Sequence, residues 1–472
     1  MERLNWLEWS KAAFQRAKKE KKPVLLGISA VWCHWCHTMD KLTYGDAKIA
    51  EFISKHFIPV RVDTDARPDI NDRYNVGGWP TTAILASDGE IVSAATYVPP
   101  QHAIKFFEDG IERFKKYKPT RKKASAPSKP IKFDQEFFYR MVKSFYDPVN
   151  GGFGLEPKFP HPDLLEYLIL RVVKFKDGEA RKMLEHTFIQ MQKGEIFDNI
   201  GGGFFRYATV QNWTIPHFEK MLDDNAKLLS SYIYAYRLFG KQEYLTTINK
   251  MLFWLFTMMY DNEKGVFYGS QDADEAFCKL PLTERIKHEA PFVDKTIYTD
   301  RNAAMALALF EASSFEPEYN QVALKLLENL YKMNVRGCVA HSYPAENPLC
   351  LFKDHVYLLA ALLHAFLKTN KLEWKSKAMT VAKCVEKFYD KKNGGFYDIL
   401  LSKDAVGRLK NRRKIVHENA FASLILRLLA VVAGDKKYAQ MADKTLHAIS
   451  AQAVSMGPYA ATYAIAVQEL PK

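Results

Sequence analysis

The sequence predicts two architectures in one chain, an α/β domain followed by an all-α domain of paired helices. Apolar runs of strand length alternate with amphipathic segments up to residue 117. A stretch rich in lysine, proline and serine then occupies residues 118–132. Beyond it the pattern is helical throughout and is interrupted by turns that pair glycine with an aromatic residue. We therefore predict one domain over 1–117, a basic linker over 118–132 and a second domain over 133–472.

The elements of the first domain follow a defined order. Residues 7–18 form an amphipathic segment, and the apolar strand at 24–28 leads straight into two cysteines held two residues apart. Further elements are predicted in the order of a strand at 57–62, the segment 77–85, a strand at 90–97 and a helix at 102–117. This is the order of the thioredoxin fold. In that fold a cis proline opens a strand beside the cysteines, and Pro80 after Trp79 has that place.

The cysteine pair is the predicted site of thiol chemistry. Cys33 and Cys36 stand at the start of a helix, whose N-terminal partial charge stabilises the thiolate of the first cysteine. Cys33 is then the nucleophile, and Cys36 attacks the mixed disulfide to release the substrate. His34, if protonated, makes the pair more oxidising. The neighbours expected to shape this site are Trp32, His34, Trp35, His37, Trp79 and Pro80.

Other roles are open for the same residues. Cys33 to His37 also has the Cys-x-x-Cys-His spacing of covalent haem attachment, and cysteine with histidine can bind zinc. Two unreactive buried cysteines are a further alternative. We predict no metal and no cofactor other than the Cys33–Cys36 disulfide. Thioredoxins usually carry a buried acid six residues before the first cysteine, where this chain has Gly27, so proton transfer at Cys36 needs another group.

Composition and charge narrow the functional class. Six cysteines in 472 residues do not make a disulfide framework, and Cys278, Cys338, Cys350 and Cys384 are expected to be small core residues. No uninterrupted apolar run is long enough to cross a bilayer, so a soluble cytoplasmic protein without a membrane partner is expected. Much of the net charge of +13 lies in the linker, which does not favour nucleic-acid binding.

Six glycine turns divide the second domain into helical hairpins. The markers are Gly152, Gly202, Gly265, Gly337, Gly395 and Gly457, and the intervals between them run from 50 to 72 residues, enough for two helices and a loop. Ten helices fit these intervals. The remaining two, at 134–146 and 459–470, lie at opposite ends of the region and can pair to close a ring. The prediction is an (α/α)6 barrel, with an open helical solenoid as the alternative.

Acidic residues follow two of these turns. Residues 216–225 are predicted to begin a helix that places Glu219 and Asp223 on one face, and Asp272 and Asp274 follow the next turn. Paired carboxylates are what glycosidic chemistry requires, whereas the alternative is a run of acids favoured by the helix dipole. The candidate barrel pocket comprises Lys158, His161, Arg206, His217, Glu219, Asp223, Asp272 and Asp274.

Together these motifs resemble a known family. The motifs Cys33 to Met39, Gly77 to Pro80, Pro157 to Pro162, Pro216 to Leu222 and Asp272 to Asp274 are similar to those of thioredoxin-domain proteins typified by bacterial YyaL and spermatogenesis-associated protein twenty. The resemblance implies a thioredoxin-like domain followed by a barrel similar to six-hairpin glycosidases and N-acylglucosamine 2-epimerases. In the segment 63–66, Asp-Thr-Asp-Ala replaces the more usual Asp-Arg-Glu-Glu.

Two functions are compatible with these features. The favoured one is a thiol-disulfide oxidoreductase acting on a protein thiol or disulfide, with the barrel providing substrate or partner specificity. The alternative is a carbohydrate-active or carbohydrate-binding barrel with an accessory thioredoxin-like domain.

Overall fold

The computed structural model describes residues 4–119, 129–335, 337–344 and 348–469. The chain divides into two compact units, one formed by residues 1–126 with 399–413, and the other by residues 127–398 with 414–472. Most of the predicted linker lies outside the described residues. The sequence did not indicate that residues 399–413 group with the first unit rather than with the helices that flank them in sequence.

The first unit has the predicted order of elements. They are α1 (Lys11–Glu20), β1 (Val24–Ser29), α2 (His34–Met39), α3 (Ala47–His56), β2 (Ile58–Asp63), α4 (Pro68–Tyr74), β3 (Thr81–Leu85), β4 (Ile91–Ala95) and α5 (Pro100–Lys116). The strands form one sheet in the order β2-β1-β3-β4, in which β1 runs parallel to β2 and antiparallel to β3. Its strands β1 and β3 are buried almost throughout, so this sheet is the rigid support of the cysteine segment.

Residues 399–413 pack against α4 and the turn before β4. The Tyr74 hydroxyl accepts from the Arg408 backbone N–H at 2.8 Å, and Arg73 donates to the Asn411 carbonyl at 3.0 Å. Gly407 has a φ of 56°, and a Cβ at this position would lie 2.2 Å from the Tyr74 hydroxyl oxygen. Glycine is therefore required here both for the backbone conformation and for the close approach.

The second unit is predominantly helical. Its helices are α6 (Gln135–Phe145), α7 (Pro162–Phe175), α8 (Gly178–Lys193), α9 (Leu222–Phe239), α10 (Gln242–Trp254), the short α11 (Glu275–Cys278) and α12 (Leu282–Arg285), α13 (Thr299–Ala312), α14 (Glu318–Asn334), α15 (Phe352–Thr369), α16 (Leu372–Val385), α17 (Val416–Ala433), α18 (Lys436–Ser455) and α19 (Ala461–Gln468). Two-residue strands lie in the loops: β5 (Tyr207–Ala208), β6 (Pro216–His217), β7 (Lys220–Met221), β8 (Tyr260–Asp261), β9 (Val266–Phe267), β10 (Ser270–Gln271), β11 (Val293–Asp294), β12 (Ile297–Tyr298) and β13 (Ser342–Tyr343).

The inner helices form a closed ring. In the order α7, α9, α13, α15, α17 and α19, each packs against the next, and α19 packs against α7. The ends of the helical region meet, because the Gln135 side chain donates to the Ala464 carbonyl at 2.9 Å and accepts from Gln468 at 3.1 Å. The predicted ring closure is therefore confirmed, and the open solenoid is wrong.

All six glycine turns share a backbone conformation, and four of them share one hydrogen-bonding pattern. All six marker glycines have positive φ, between 59° and 82°. In four turns an aspartate accepts from the backbone N–H groups two and three residues further on and binds a lysine ammonium; the pairs are Asp147–Lys158, Asp198–Lys220, Asp261–Lys264 and Asp390–Lys414. Three of the pairs join segments at least 11 residues apart, whereas Asp261–Lys264 lies within a single turn.

Two details of the sequence prediction need correction. Residues 216–221 contain β6 and β7 rather than the start of a helix, and α9 begins at Leu222, so Glu219 and Asp223 do not share a helical face. Pairing of Lys220 with Gln271 on β10 holds this segment extended. Cys338 and Cys350 are joined as a disulfide and are half-buried, rather than being separate core residues.

Among the described helices, α17 has the length and apolar character of a membrane span, with a mean hydropathy of 1.5. It carries five polar residues, His417, Glu418, Asn419, Ser423 and Arg427, and packs against α15 and α19 in the ring. Its apolar character is that expected of a core helix of the barrel.

Candidate functional site

The cysteine pair lies at the junction of β1 and α2. Cys33 is the N-cap of α2, and its Sγ accepts the backbone N–H of Cys36 at 3.2 Å. The two residues are joined as a disulfide with a Cα–Cα distance of 5.2 Å, within the ordinary range for such bonds. In the reduced state, this N–H and the helix N-terminus both favour the thiolate of Cys33 over its thiol.

The loop at residues 63–66 fixes the segment before the cysteines. Asp63 accepts the backbone N–H of Val31 at 3.1 Å, and Asp65 accepts the indole N–H of the buried Trp32 at 2.7 Å. The Trp32 ring packs edge-on against Trp79 at 5.6 Å. Although the loop differs from the usual family sequence, the carboxylates of Asp63 and Asp65 still position the segment before the cysteines.

The predicted neighbours surround the cysteine pair unequally. The Trp79–Pro80 peptide bond is cis, as predicted, and Pro80 immediately precedes β3. Trp35 is half-exposed and packs edge-on against Tyr97 at 5.5 Å. His34 and His37 are both exposed, and the His37 ring hydrogen-bonds the Val31 carbonyl at 2.9 Å. Trp35, His34 and His37 therefore form the accessible surface beside an otherwise buried pair of sulfurs.

A charged pair lies beside Cys36. Arg61 binds Asp40 through both oxygens, at 2.7 and 2.5 Å, and Asp40 is four residues after Cys36 on the same helical segment. Both residues line a small cavity together with Cys36, Gly27 and Pro80. The space beside Gly27 is taken by Trp6, whose ring would lie 3.3 Å from a Cβ at that position. The pair therefore supplies charge near Cys36 where the usual acid is missing.

The second unit contains a cavity of about 440 Å³ enclosed by the ring of inner helices. None of the eight predicted barrel residues lines it. Its polar end is formed by Asp163, Lys227, Tyr357, His417 and Thr462, and we call these five residues the cavity mouth. Asp163 lies 3.3 Å from both Lys227 and His417, while Thr462 and Tyr357 contact the His417 ring at 2.9 and 3.4 Å.

Burial and neighbouring charge set the protonation of the cavity mouth. Burial alone would raise the pKa of Asp163, but Lys227 and His417 hold it at about 2. Burial lowers the pKa of His417 below its ordinary value, so its ring is neutral at pH 7. Further inside, burial and the charge of Asp163 raise the pKa of Glu166 to about 7. The Glu166 side chain is accessible to water inside the cavity. Because protein surrounds the cavity, its carboxylate is solvated less well than in bulk water, which favours the neutral form.

The predicted pocket residues divide into buried structural groups and a polar rim. Lys158 is fully buried against Asp147, and Asp274 caps α11 by accepting the Phe277 N–H, so both have structural roles. His161 lies among aromatic rings, and burial lowers its pKa to about 4. Gln271 on β10 is paired with Lys220 on β7 in an antiparallel register. Asp272 comes directly after Gln271 and Glu219 directly before Lys220, so these two acids lie opposite each other.

The remaining predicted residues stand on the rim around Tyr207. The Tyr207 ring stacks on His217 at 4.4 Å and on Phe159 at 4.7 Å, and Arg206 lies 5.8 Å from its centre. His217 Nδ1 is 3.7 Å from Glu219, a buried acid whose Oε2 makes no hydrogen bond among the described residues. This is a half-exposed aromatic surface with polar groups at its edge.

Two acids at the start of α9 complete the rim. Asp223 lies 3.9 Å from Arg301. Burial, and then the charge of Asp223, raise the pKa of the adjacent Asp224 to about 7. Sequence reasoning identified Asp223 but missed Asp224, although the doublet itself was a signal because a neighbouring negative charge favours the neutral form of a carboxyl group.

One group of described residues has the composition of a metal site. Asp300, His341 and Asp354 are buried, with ligand atoms within 4.8 Å of one another. However, Lys353 binds Asp300 at 2.8 Å, and the His341 ring lies 3.0 Å from Asp354. The charge of Asp354 raises the pKa of His341. Burial itself opposes the charge of His341. Lys353 and His341 already pair with the two carboxylates, so this group forms an internal ion cluster rather than a metal site.

Comparison with known proteins agrees with both parts of the fold. Residues 1–128 match the family model Thioredox_DsbH, described as "Protein of unknown function, DUF255". The chain is 31% identical to human spermatogenesis-associated protein 20 over 314 residues, which are 57% of this chain and 39% of that protein. It thus spans about two fifths of the length of that relative.

The helical part has relatives of its own. A stretch of 159 residues, 34% of this chain, is 27% identical to cellobiose 2-epimerase of Bacteroides fragilis and covers 37% of it. Among solved structures, cellobiose 2-epimerase of Bacillus thermoamylovorans matches 70% of this chain and 95% of its own, with a TM-score of 0.56 and 11% identity. A D-mannose isomerase matches 67% of this chain and 85% of its own, with a TM-score of 0.54 and 15% identity.

These structural matches concern the (α/α)6 fold. The resemblance drawn from the sequence motifs is confirmed: the chain is similar to spermatogenesis-associated protein 20 over 57% of its length, and its N-terminal region matches the thioredoxin-like Thioredox_DsbH model.

Proposed function

We propose that this protein is a thiol-disulfide oxidoreductase that acts through Cys33 and Cys36. The observation that carries the proposal is the Cys33 sulfur at the N-cap of α2, joined as a disulfide to Cys36, which lines one small cavity with Pro80. The helical domain would select the partner protein. The test is turnover of a protein disulfide by the wild-type chain and by variants of the two cysteines.

The proposed reaction has two exchange steps. The Cys33 thiolate attacks one sulfur of a substrate disulfide, which forms a mixed disulfide and releases the other substrate sulfur as a thiolate. The Cys36 thiolate then attacks the Cys33 sulfur, which forms the Cys33–Cys36 disulfide and releases the second substrate thiolate. The substrate gains two electrons, and an external dithiol must reduce the pair again. Pro80 and the adjacent backbone would align the substrate chain.

The second step requires Cys36 to lose its proton, and the nearby charged pair is placed to influence this. Arg61 brings a positive charge to the small cavity that Cys36 lines, while Asp40 brings a carboxylate that can accept a proton. A nearby positive charge stabilises a thiolate, whereas a nearby negative charge opposes it. We therefore assign Arg61 and Asp40 as positioning residues that balance the acidity of Cys36.

Replacing Arg61 by methionine is expected to raise the pKa of the Cys36 thiol and to slow release of the mixed disulfide by roughly three- to tenfold at pH 7. Asp40→Asn is expected to lower the same pKa. The measurement is the pH dependence of Cys36 alkylation in a Cys33→Ser background, resolved by mass spectrometry. Arg67→Met, which breaks a similar bidentate pair with Asp69, is the matched control. Equal Cys36 titration in all variants would show that the pair is structural.

The second candidate function is carbohydrate binding by the helical domain. It is favoured by the aromatic surface at Tyr207 and by the similarity of 159 residues to a cellobiose 2-epimerase. Aromatic rings offer a flat apolar face, and polar groups at their edge bind hydroxyls. Glu166 and Asp224, whose pKa values are raised to about 7, are suited to give and take protons near neutral pH.

This candidate predicts that a sugar binds the folded chain and that His217→Ala weakens the binding about tenfold, since the substitution removes one ring of the stack. Isothermal titration calorimetry with cellobiose and mannose measures the affinity. His186→Ala, which removes a ring on α8 that packs on Tyr146, is the control and should bind as the wild type does. A sugar panel that produces no binding heat would rule against this candidate.

A further inference from the structure

The cavity of the helical domain changes character along its length. The cavity mouth lies near the starts of inner helices, because Asp163, His417 and Thr462 are each the second residue of theirs. Their contacts with one another show that α7, α17 and α19 begin at the same end of the ring. Below the mouth, aliphatic side chains line the cavity together with a few polar ones, namely Glu166, Ser230, Ser231, Tyr234 and His364. We call this zone the apolar belt, formed by Ile169, Leu170, Leu307, Leu424, Ile425 and Ile465.

The cavity is long enough to hold both the head and the apolar part of a ligand. Asp163 and Val173 both line the cavity and are ten residues apart on α7, which at about 1.5 Å per residue corresponds to about 15 Å. The volume of about 440 Å³ lies within the range of small-molecule sites. Small side chains on neighbouring helices, Ala226, Ala304 and Ala360, keep this space open.

The charges of the cavity mouth balance. Lys227 and Asp163 form an ion pair, and the half-buried His417 ring is neutral at pH 7 because its pKa is lowered. At the other end of the cavity, Glu311 is paired with Arg237 at 2.5 Å. The charges of the mouth itself are therefore matched, and Glu166 below it, whose pKa is raised to about 7, is only partly charged near neutral pH, so the mouth offers hydrogen-bond donors and acceptors without a strong field that favours an ion. A neutral head group bearing hydroxyls fits it, and a plain sugar would leave the belt unoccupied.

We propose that the barrel cavity binds a neutral amphiphile, with a hydroxylated head at Asp163, Lys227 and His417 and an aliphatic body within the apolar belt. The head rests on the second candidate function, carbohydrate binding, but places the hydroxylated group at the cavity mouth rather than on the aromatic surface at Tyr207, whereas the body is a new element carried by the lining of the cavity. This ligand class differs from a free sugar because burial of its apolar body supplies much of the binding.

An alkyl glucoside series tests the proposal. Propyl, pentyl and heptyl β-D-glucosides, each below its micelle concentration, are titrated into the full chain by calorimetry, alongside glucose and 1-heptanol. Affinity is expected to rise about fourfold for each methylene that enters the belt, the factor that corresponds to about 0.8 kcal/mol per buried methylene. Glucose and heptanol are each expected to bind at least tenfold more weakly than heptyl glucoside.

Variants locate the binding. Leu307→Trp places a large ring in the belt and should abolish the chain-length dependence, and Ala304→Leu, a smaller change, should weaken heptyl glucoside more than propyl glucoside. Leu367→Trp is the matched control because Leu367 is 55% exposed on α15 and does not line the cavity. Equal affinities for glucose and all glucosides would overturn the apolar body and leave the sugar site standing. Equal binding of heptanol and heptyl glucoside would overturn the hydroxylated head, and absence of binding by every probe would overturn both.

Discussion

Substitution of Cys33 by serine is expected to abolish reduction of a protein disulfide such as insulin. The first exchange step needs a sulfur electron pair at this position, and a hydroxyl is a far weaker nucleophile than a thiolate at neutral pH. Turnover is measured with dithiothreitol as the electron donor. Cys36→Ser is expected to form the mixed disulfide without resolving it, so a covalent adduct with the substrate accumulates on a non-reducing gel.

The control is Cys278→Ser, which removes a thiol in the helical domain. This variant should retain the wild-type rate and form no adduct. If Cys33→Ser kept the wild-type rate, the reaction would not pass through this sulfur. A Cys36→Ser variant that turned over normally would show that Cys36 does not resolve the intermediate.

Substitution of Asp198 by asparagine is expected to destabilise the helical domain by about 3–5 kcal/mol, the typical cost of breaking a buried ion pair. Asp198 lies 2.8 Å from both Lys220 and Arg285, and these three side chains are almost fully buried. Removing the carboxylate leaves two cations facing each other without compensation. Chemical denaturation, followed by a signal from the helical domain, measures the loss.

The repeated turn provides a matched control. Asp261 makes the same backbone hydrogen bonds as Asp198, but its lysine partner Lys264 is 49% exposed. Asp261→Asn is therefore expected to cost below about 1 kcal/mol, as for a partly exposed ion pair. Equal losses in the two variants would show that the backbone turn, rather than the buried charge, provides the stability.

The Asp198 ion pair also predicts how the stability of the helical domain depends on pH. Burial alone would raise the pKa of Asp198, but Lys220 and Arg285 lower it to about 2 in the folded chain, below its ordinary value of 3.8. A carboxyl group with a depressed pKa stabilises the folded state above its ordinary pKa, and the contribution disappears as the pH falls from about 4 towards 2. Asp198→Asn should lack this part of the acid transition.

The order of elements was predictable because it depends on local patterns. The run at 24–28, the cysteine spacing and Trp79-Pro80 are contiguous signals, and the structure places the first in strand β1, the second at the start of α2 and the third directly before β3, the strand paired with β1. The glycine turns were predictable because their positive φ values favour a residue without a side chain. The aspartate that precedes each of four of these glycines was also visible in the sequence, and it would have identified Lys158 as a structural residue.

The remaining features depend on contacts between distant segments. Residues 216–221 have helical neighbours, but pairing with β10 holds them extended, and no local signal announces that partner. The cavity mouth gathers Asp163, Lys227 and His417 from three helices, so its members are separated by 64 and 190 positions in sequence. A search for polar residues in the first turns of alternate helices would have found two of them. Docking of residues 399–413 on the first unit likewise depends on Tyr74 and Arg73, which lie more than 300 positions away.

The central claim is that Cys33 and Cys36 form a working redox couple, and its most direct test is their reduction potential. Thiol trapping in graded glutathione buffers, resolved by mass spectrometry for this pair, gives the fraction oxidised. We expect a reversible two-electron transition at a potential between about −270 and −120 mV, the span from thioredoxin to strongly oxidising relatives. A pair that stays reduced or oxidised across all buffers, or that titrates without turnover of a protein disulfide, would contradict the account.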